Sequence, residues 1–486
     1  ELRTKTSRPI VAVLYTHFHY VSGTQAVLDD DPTQQVQIWG HEKIAYNRAR
    51  ATAEIAPAYS RGLVEQFAIT LPQDGPDGTV NVGLGNFYRN PAFTTQTNGF
   101  IEPKNTFNSQ CTIEVAGLSI DVTPAPSDAD DSVTFWFSAL GCAVNNLVWP
   151  VLFNIFAIRG EEYRDPRIML TGVDHLLSLN ADHLIGAHGM PISGADEILN
   201  RVTKYRDSLQ FLWDQTVRLT NRGYSSTELA YSIRLPDFFD DDNLTSEFYG
   251  VAEHHVRQIR SGLFGWFDGD PANLFPLPRI EHSDRMISGF GGRETVRKIT
   301  REAIQNNDLR WACELGSWLS YSSDSETSDR ELLASTLRLI AQRTTAANIR
   351  NWCLTRARDL DGTLELTRFN THRLTRKQIV SAPAERSVHI LRVMLDPERA
   401  VGIDANIGFN FTSHDKTGLH IRNCIAKQTD GRDAKIQVTS TIEKWADILT
   451  GVVTLSEAID SGEVQIEGDL ATAKSALGVF DIDGLR

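Results

Sequence analysis

From Pro9 to Tyr15 the chain is apolar and rich in β-branched residues, and it then breaks into the polar turn Thr16-His17-Phe18-His19. Such a run predicts a buried strand opening an α/β layer. Up to about Gly194 short apolar runs alternate with helical periodicity. Strands are expected over 36–40, 132–140 and 183–187, and a hairpin over 111–123 turns at Ala116-Gly117. A helix is expected over 42–55, ending before Pro57. Residues 195–280 turn helical, and 294–360 read as paired amphipathic helices without a clean repeat period. From about Thr363 strand-like runs over 387–394 and 434–441 precede a helix over 442–450, which predicts a small α+β module.

Composition narrows this picture. At 486 residues the chain is too long for one core, and two to four domains are expected. A formal net charge of -14 with no basic stripe argues against nucleic acid as the main partner. An anionic ligand would therefore need local positive charge. Five scattered cysteines without a C-x-x-C pair predict free, structural thiols, with the cytoplasm as the default compartment. The most apolar stretch, Val133 to Ile158, is interrupted by Asn145, Asn146, Pro150 and Asn154, so it reads as core and no membrane span is expected. With Glu1 first and no signal peptide visible, the sequence reads as a fragment or a processed product.

Candidate chemistry begins at His17 and His19. Side chains at i and i+2 of an extended segment point the same way, so two imidazoles at a strand end form a plausible transition-metal site. An H-x-H pair is also common as ordinary surface or core histidine. Arg159 is a candidate for anion recognition because a planar guanidinium binds two oxygens at once, with a salt bridge to Asp165 or Glu161 as the equal alternative. Asn145 and Asn154 interrupt apolar sequence and suit either substrate binding or core hydrogen bonding. Tyr20 is read as a proton donor, a metal neighbour or a packed aromatic. Asp130 and Asp131 read as solvated loop charges. His254 and His255 diverge by about 100° on a helix, so they do not share a metal.

Taken in order, these features resemble the alkylsulfatases of the metallo-β-lactamase superfamily. The resemblance rests on Tyr15-Thr-His17-Phe-His19, Gly83-Leu-Gly85, Thr123-Pro124 to Phe137, Ile158-Arg159-Gly160 and Ala187-His188-Gly-Met-Pro191. Trp213-Asp-Gln-Thr216, Asn221-Arg-Gly-Tyr224 and Gly265-Trp-Phe-Asp-Gly-Asp-Pro-Ala-Asn273 follow. It implies an α/β fold: a metallo-β-lactamase-like αββα sandwich over 1–195 whose first strands are missing or supplied by another segment. A helical dimerisation domain over 196–362 and a sterol-carrier-like domain over 363–486 would follow, the last with an apolar tunnel or a purely structural role.

The family motif H-x-H-x-D-H departs here after His19. Tyr20-Val21-Ser22-Gly23 takes its place, so the Asp and His of a second metal site are absent. Of two further acidic ligands, one falls on Asp128, or on Ser127 in strict register, and the other on Val144. His188 matches the last ligand histidine. The resemblance thus implies one metal on His17, His19, Asp128 and His188, zinc or alternatively iron, with Arg159 holding an anion. The expected protein is a homodimeric, metal-dependent hydrolase acting on a small or amphiphilic anionic substrate. The alternatives are a catalytically retired scaffold and an iron-dependent oxidase.

Overall fold

The computed structural model describes residues 2–85, 99–150 and 152–486. It divides into two compact units, one of residues 1–49 and 58–368, the other of residues 50–57 and 369–486. The first unit begins with the expected strand, β1 (Ala12–Leu14), which pairs in parallel with β2 (Gln37–His41), itself paired in parallel with β3 (Asn105–Phe107).

A second sheet follows in simple order: β4 (Cys111–Val115), β5 (Leu118–Pro124), β6 (Val133–Phe137), β7 (Cys142–Asn145), β8 (His183–Gly186) and β9 (Ile192–Ser193). β4 and β5 form the expected hairpin. Ala116 and Gly117 both take positive φ, 52° and 78°, the tight-turn backbone that matches the twist of the flanking strands.

Alternation along the strands builds two cores. Ile120, Val122 and Phe135 face Phe107 and Ile113 between the sheets, with Leu14 and Trp39 packed against them. Ala143 and Leu184 face the other way, onto the helices Pro166–Ser178 and Ala195–Thr220 through Met169, Val173 and Val202. With helices also following β1 and β2, this is the expected αββα sandwich. Helices Arg293–Gln305, Leu309–Tyr321, Thr327–Ala341 and Ala347–Leu360 then form the antiparallel pairs that the periodicity predicted.

Two expectations need correction. The helix over 42–55 is interrupted: Ile44–Ala49 runs into a widened π turn at Arg50–Glu54, and a new helix, Ala56–Gln66, takes Pro57 into its first turn. Proline is tolerated there because first-turn N–H groups lack helical partners in any case. The run over 387–394 is not a strand but the helix Ala384–His389 followed by a 3₁₀ turn, Ile390–Met394. Its buried residues Ser387, Val388, Leu391 and Met394 follow helical rather than alternating spacing.

The second unit is a five-stranded sheet of β10 (Ala405–Phe411), β11 (Thr417–Arg422), β12 (Ile425–Thr429), β13 (Ile436–Ser440) and β14 (Gln465–Glu467), ordered β12-β11-β10-β13-β14. Helices including Ile442–Leu449 close over a core of Phe409, Phe411, Trp445 and Phe480, all fully buried. The five cysteines are free. No helix among the described residues is long and apolar enough to cross a membrane.

Candidate metal centre

Four strand ends bring the candidate ligands together. His17 follows β1, and the Val133 N–H donates to the Thr16 carbonyl (3.0 Å), tying this turn to the start of β6. The turn is not extended as expected. Phe18–Tyr20 forms a 3₁₀ turn, which leaves the His17 and His19 ring centroids 5.1 Å apart. Asp128 lies in the loop between β5 and β6, and His188 follows β8. There Gly186 is required by close approach, because a Cβ would fall 2.6 Å from the His188 carbonyl oxygen.

The three imidazoles surround one carboxylate oxygen. Asp128 Oδ2 lies 3.8 Å from His17 Nε2, 3.2 Å from His19 Nδ1 and 4.0 Å from His188 Nε2. Ligand atoms on a tetrahedral cation with bonds of roughly 2.0 Å stand about 3.3 Å apart, so this spacing suits a single ion. His17, Asp128 and His188 offer atoms that all lie within 4.8 Å of one another. The Nε2 atoms of His17 and His188 are buried without a hydrogen-bond partner, which is the state of a donor awaiting a cation.

Electrostatics sets the protonation states unevenly. Burial would lower the His19 imidazole, but Asp128 and Glu161 more than offset it and raise it above its ordinary value, whereas His17 and His188 move down. Burial pushes the His17 imidazole down to about 3 and the His188 imidazole down to about 4, so both are neutral at ordinary pH. Burial alone would raise the Asp128 carboxyl, but His17, His19 and Arg164 hold it well below the usual carboxylate range. Neutral imidazoles and an ionised carboxylate are the forms that bind a metal.

A surrounding layer fixes these groups. His17 Nδ1 lies 3.0 Å from the Thr16 hydroxyl. His19 Nε2 meets Glu161 at 3.3 Å, and Tyr59 donates to the same Glu161 oxygen at 2.9 Å. Asn146 donates to Asp128 Oδ1 and to the hydroxyls of Ser132 (3.0 Å) and Ser127 (3.2 Å). His188 stacks on Trp149, with centroids 3.7 Å apart. Outer partners of this kind orient ligands and set their basicity.

Arg159 is buried beside the cluster. One guanidinium nitrogen lies 3.0 Å from Glu161 and 3.4 Å from His19 Nε2, and the group sits 5.7 Å from the Tyr59 ring. Of the two alternative partners, Glu161 forms the salt bridge and Asp165 is held instead by Arg167. The chain reaches this position because Gly62 lets the backbones touch: a Cβ there would lie 2.3 Å from the Arg159 carbonyl oxygen.

A second buried guanidinium, Arg164, donates to the Asn154 carbonyl at 2.6 Å, while its Nε and other Nη have no partner. Burial would raise the Glu161 carboxyl, yet His19, Arg159 and Arg164 hold it down to about 2. Two carboxylates therefore face two guanidinium groups, and a divalent cation would leave the site positive.

The remaining candidates separate. Asn145 does not present its amide to the site: Oδ1 accepts from Leu147 and Val148 N–H (2.9 Å each) and Nδ2 donates to the Ile185 carbonyl (3.2 Å). Asn154 is buried with neither amide atom paired. Tyr20 stands at the rim, 61 % exposed, its hydroxyl 3.4 Å from His188 Nδ1. Val144 packs on the core between the sheets, so no carboxylate stands there. Asp131 is fully buried rather than solvated, and Asp130 pairs with Lys43 at 2.7 Å. Asn146, Glu161, Arg164 and Trp149 were missed as site residues. Asn146 carried a signal, a polar residue inside an apolar run.

The group that could hold a metal, His17, Asp128 and His188 with His19 against Asp128, stands at strand ends of a two-sheet sandwich, an arrangement that suits a metal-dependent hydrolase. Comparison with known proteins agrees. Residues 225–363 match the family description alkyl sulfatase dimerisation, and residues 374–483 match alkyl sulfatase C-terminal. A linear primary-alkylsulfatase from a Pseudomonas species is 29 % identical over 500 residues, covering 99 % of this chain and 94 % of that protein. An alkyl/aryl-sulfatase from Saccharomyces cerevisiae is 24 % identical, over 99 % of this chain and 75 % of its own. The solved stereoselective inverting sec-alkylsulfatase Pisa1 from Pseudomonas sp. superposes with a TM-score of 0.86 at 24 % identity, over 100 % of this chain and 78 % of that one. The chain belongs to the alkylsulfatase family.

Proposed function

We propose that the protein is a metal-dependent hydrolase of sulfate esters, acting on a small or amphiphilic anionic substrate, with one cation held by His17, His19, Asp128 and His188. The observation that carries this reading is the approach of three imidazole nitrogens to one Asp128 oxygen, with two histidine nitrogens left without other partners. When bound, the cation supplies Lewis acidity toward water and a sulfate oxygen. Zinc is the favoured ion, since three nitrogens and one oxygen suit its tetrahedral preference, while the histidine–carboxylate set also suits iron(II).

The chain's own residues do the rest. Arg159 and Arg164 bind sulfate oxygens, and low-dielectric burial strengthens both contacts. Glu161 keeps Arg159 and His19 in place. The unpaired Asn154 amide offers one further donor to the substrate, and Tyr20 supplies a hydroxyl at the rim.

The segment 225–363 supports a homodimer, which light scattering checks. The test of function is to load the protein with zinc or iron(II), measure metal by elemental analysis and follow sulfate release from linear and branched alkyl sulfates. One equivalent of metal with turnover is expected. Less than about half an equivalent after reconstitution would overturn the metal site. Full loading without turnover on any sulfate ester would leave the scaffold reading in its place.

A further inference from the structure

The Gly265-Trp266-Phe267-Asp268-Gly269 run is not used by the metal centre. It follows the helix Ala252–Phe264, whose last turn closes through the Gly265 N–H to the Ser261 carbonyl (2.7 Å). Gly265 takes φ 74°, which a side chain rarely permits, and this turns Trp266 back toward the helix end. A cavity of about 470 Å³ lies here, within the range of small-molecule sites.

Its composition is one-sided. Arg257, Arg260, His254 and Gln258 supply donors, Phe156, Ile158 and Trp266 supply apolar wall, and no carboxylate lines it among the described residues. Burial and the neighbouring Arg257 push the His254 imidazole toward its neutral form, so the guanidinium groups carry the charge. The carboxylates nearest in sequence are engaged elsewhere. Glu253 takes both ends of Arg310, at 2.8 Å and 2.6 Å, Glu228 closes a capping box with Ser225, and Asp268 accepts from the Asp270 N–H (3.0 Å) and the Asn273 amide (2.7 Å). Arg260 is 8 % exposed, its Nη1 donates to the Phe267 carbonyl at 3.2 Å, and its Nε has no partner. A buried cation with an unmade hydrogen bond calls for an anion, and it supplies the local positive charge that an anionic ligand needs on a chain of net charge -14.

We propose that this cavity is a second binding site, separate from the metal centre, for an organic anion: a sulfonate, sulfate or carboxylate head on Arg257 and Arg260 with an alkyl or aryl body against Trp266, Phe156 and Ile158. The segment from Asn154 to Arg159 is shared between the two sites. Phe156 and Ile158 line the cavity, while Arg159 stands beside His19.

The experiment is calorimetric titration of the full chain with 1-octanesulfonate, which resists hydrolysis, against inorganic sulfate and 1-octanol. The variants are Arg257→Glu, at an exposed position that leaves the fold intact, and Trp266→Ala. Arg257→Glu should remove one binding event, or weaken it at least about tenfold, while any event at the metal centre persists. Trp266→Ala should weaken the same event, and inorganic sulfate and 1-octanol should each bind more weakly than the joined molecule.

The proposal is overturned if Arg257→Glu titrates like the parent, or if 1-octanol binds as well as the sulfonate. It is overturned equally if Arg257→Glu changes the mass in light scattering and leaves the titration untouched, which would make the cations a subunit contact. His188→Ala separates this site from the hydrolase reading, because the cavity event must survive it whether or not the protein turns over sulfate esters.

Discussion

The metal centre and the core of the C-terminal unit are equally buried and built on opposite terms. In the C-terminal core Phe409 and Phe411 stand 5.2 Å and 5.8 Å from the Trp445 ring. Its polar handle is satisfied, Trp445 Nε1 donating to the Ser387 hydroxyl at 3.1 Å. At the metal centre His17 Nε2, His188 Nε2, Arg159 Nε, two nitrogens of Arg164 and both amide atoms of Asn154 have no partner. Each unmet buried group costs roughly 1–3 kcal/mol. One region therefore lowers the free energy of the fold, while the other raises it and holds groups ready for a ligand. The contrast locates function better than burial does.

The sharpest break in that comparison is to exchange the two kinds of loss. His17→Ala or His188→Ala should lower metal retention and sulfate-ester turnover by more than about a hundredfold, since even outer partners of metal ligands are worth 10–100-fold. Compared without metal, these variants should lose the packing of one buried ring but nothing for the unpartnered nitrogen, so their denaturant midpoint should fall less than that of Trp445→Ala.

Trp445→Ala should do the reverse, costing about 3–5 kcal/mol in denaturant unfolding of the C-terminal unit, with metal stoichiometry unchanged. A smaller effect is expected from Asn146→Ala, which frees Asp128 Oδ1 and leaves every proposed ligand in place. Metal affinity, read by competition with a chelator, should fall about 10–100-fold. An unchanged affinity would remove Asn146 from the set of orienting groups.

Which parts of this were legible in sequence follows from how local they are. The strand ahead of His17, the strand ahead of His188 and the turn at Ala116-Gly117 depend on a few adjacent residues, and they stand where periodicity put them. Gathering His17, His19, Asp128 and His188 at one edge was expected from resemblance alone, because no spacing rule links residues on separate strands. The segment 146–165 was legible only at single residues, Asn154 and Arg159, and not in its path. Among its described residues it has no regular element before the helix at Pro166, so the placing of the Glu161 side chain against His19 and the burial of Arg164 are decided by tertiary packing. The run 387–394 was misread because its apolar residues satisfy either period over so short a length.

Asp131 tests the comparison on its finest scale, since it is a buried polar group that belongs to neither pattern. It stands three residues after Asp128 and is fully buried, and burial pushes its carboxyl up to about 7. Asp128 is held ionised by its neighbours, whereas Asp131 prefers its proton. The sign of the pH effect follows. Between about pH 4 and pH 7 the native state keeps a proton that the unfolded chain has released, so stability falls as pH rises through that window and the full cost is present above it. Asp131→Asn, which carries no titrating proton, should flatten this slope and stabilise the protein at pH 8 by on the order of 2 kcal/mol. At pH 5, where the parent carboxyl is neutral in the fold, most of the difference should vanish. Chemical denaturation of parent and variant at the two pH values reads this directly. A parent whose stability rises from pH 5 to pH 8, with the variant following it, would mean that Asp131 is ionised and paired in the fold.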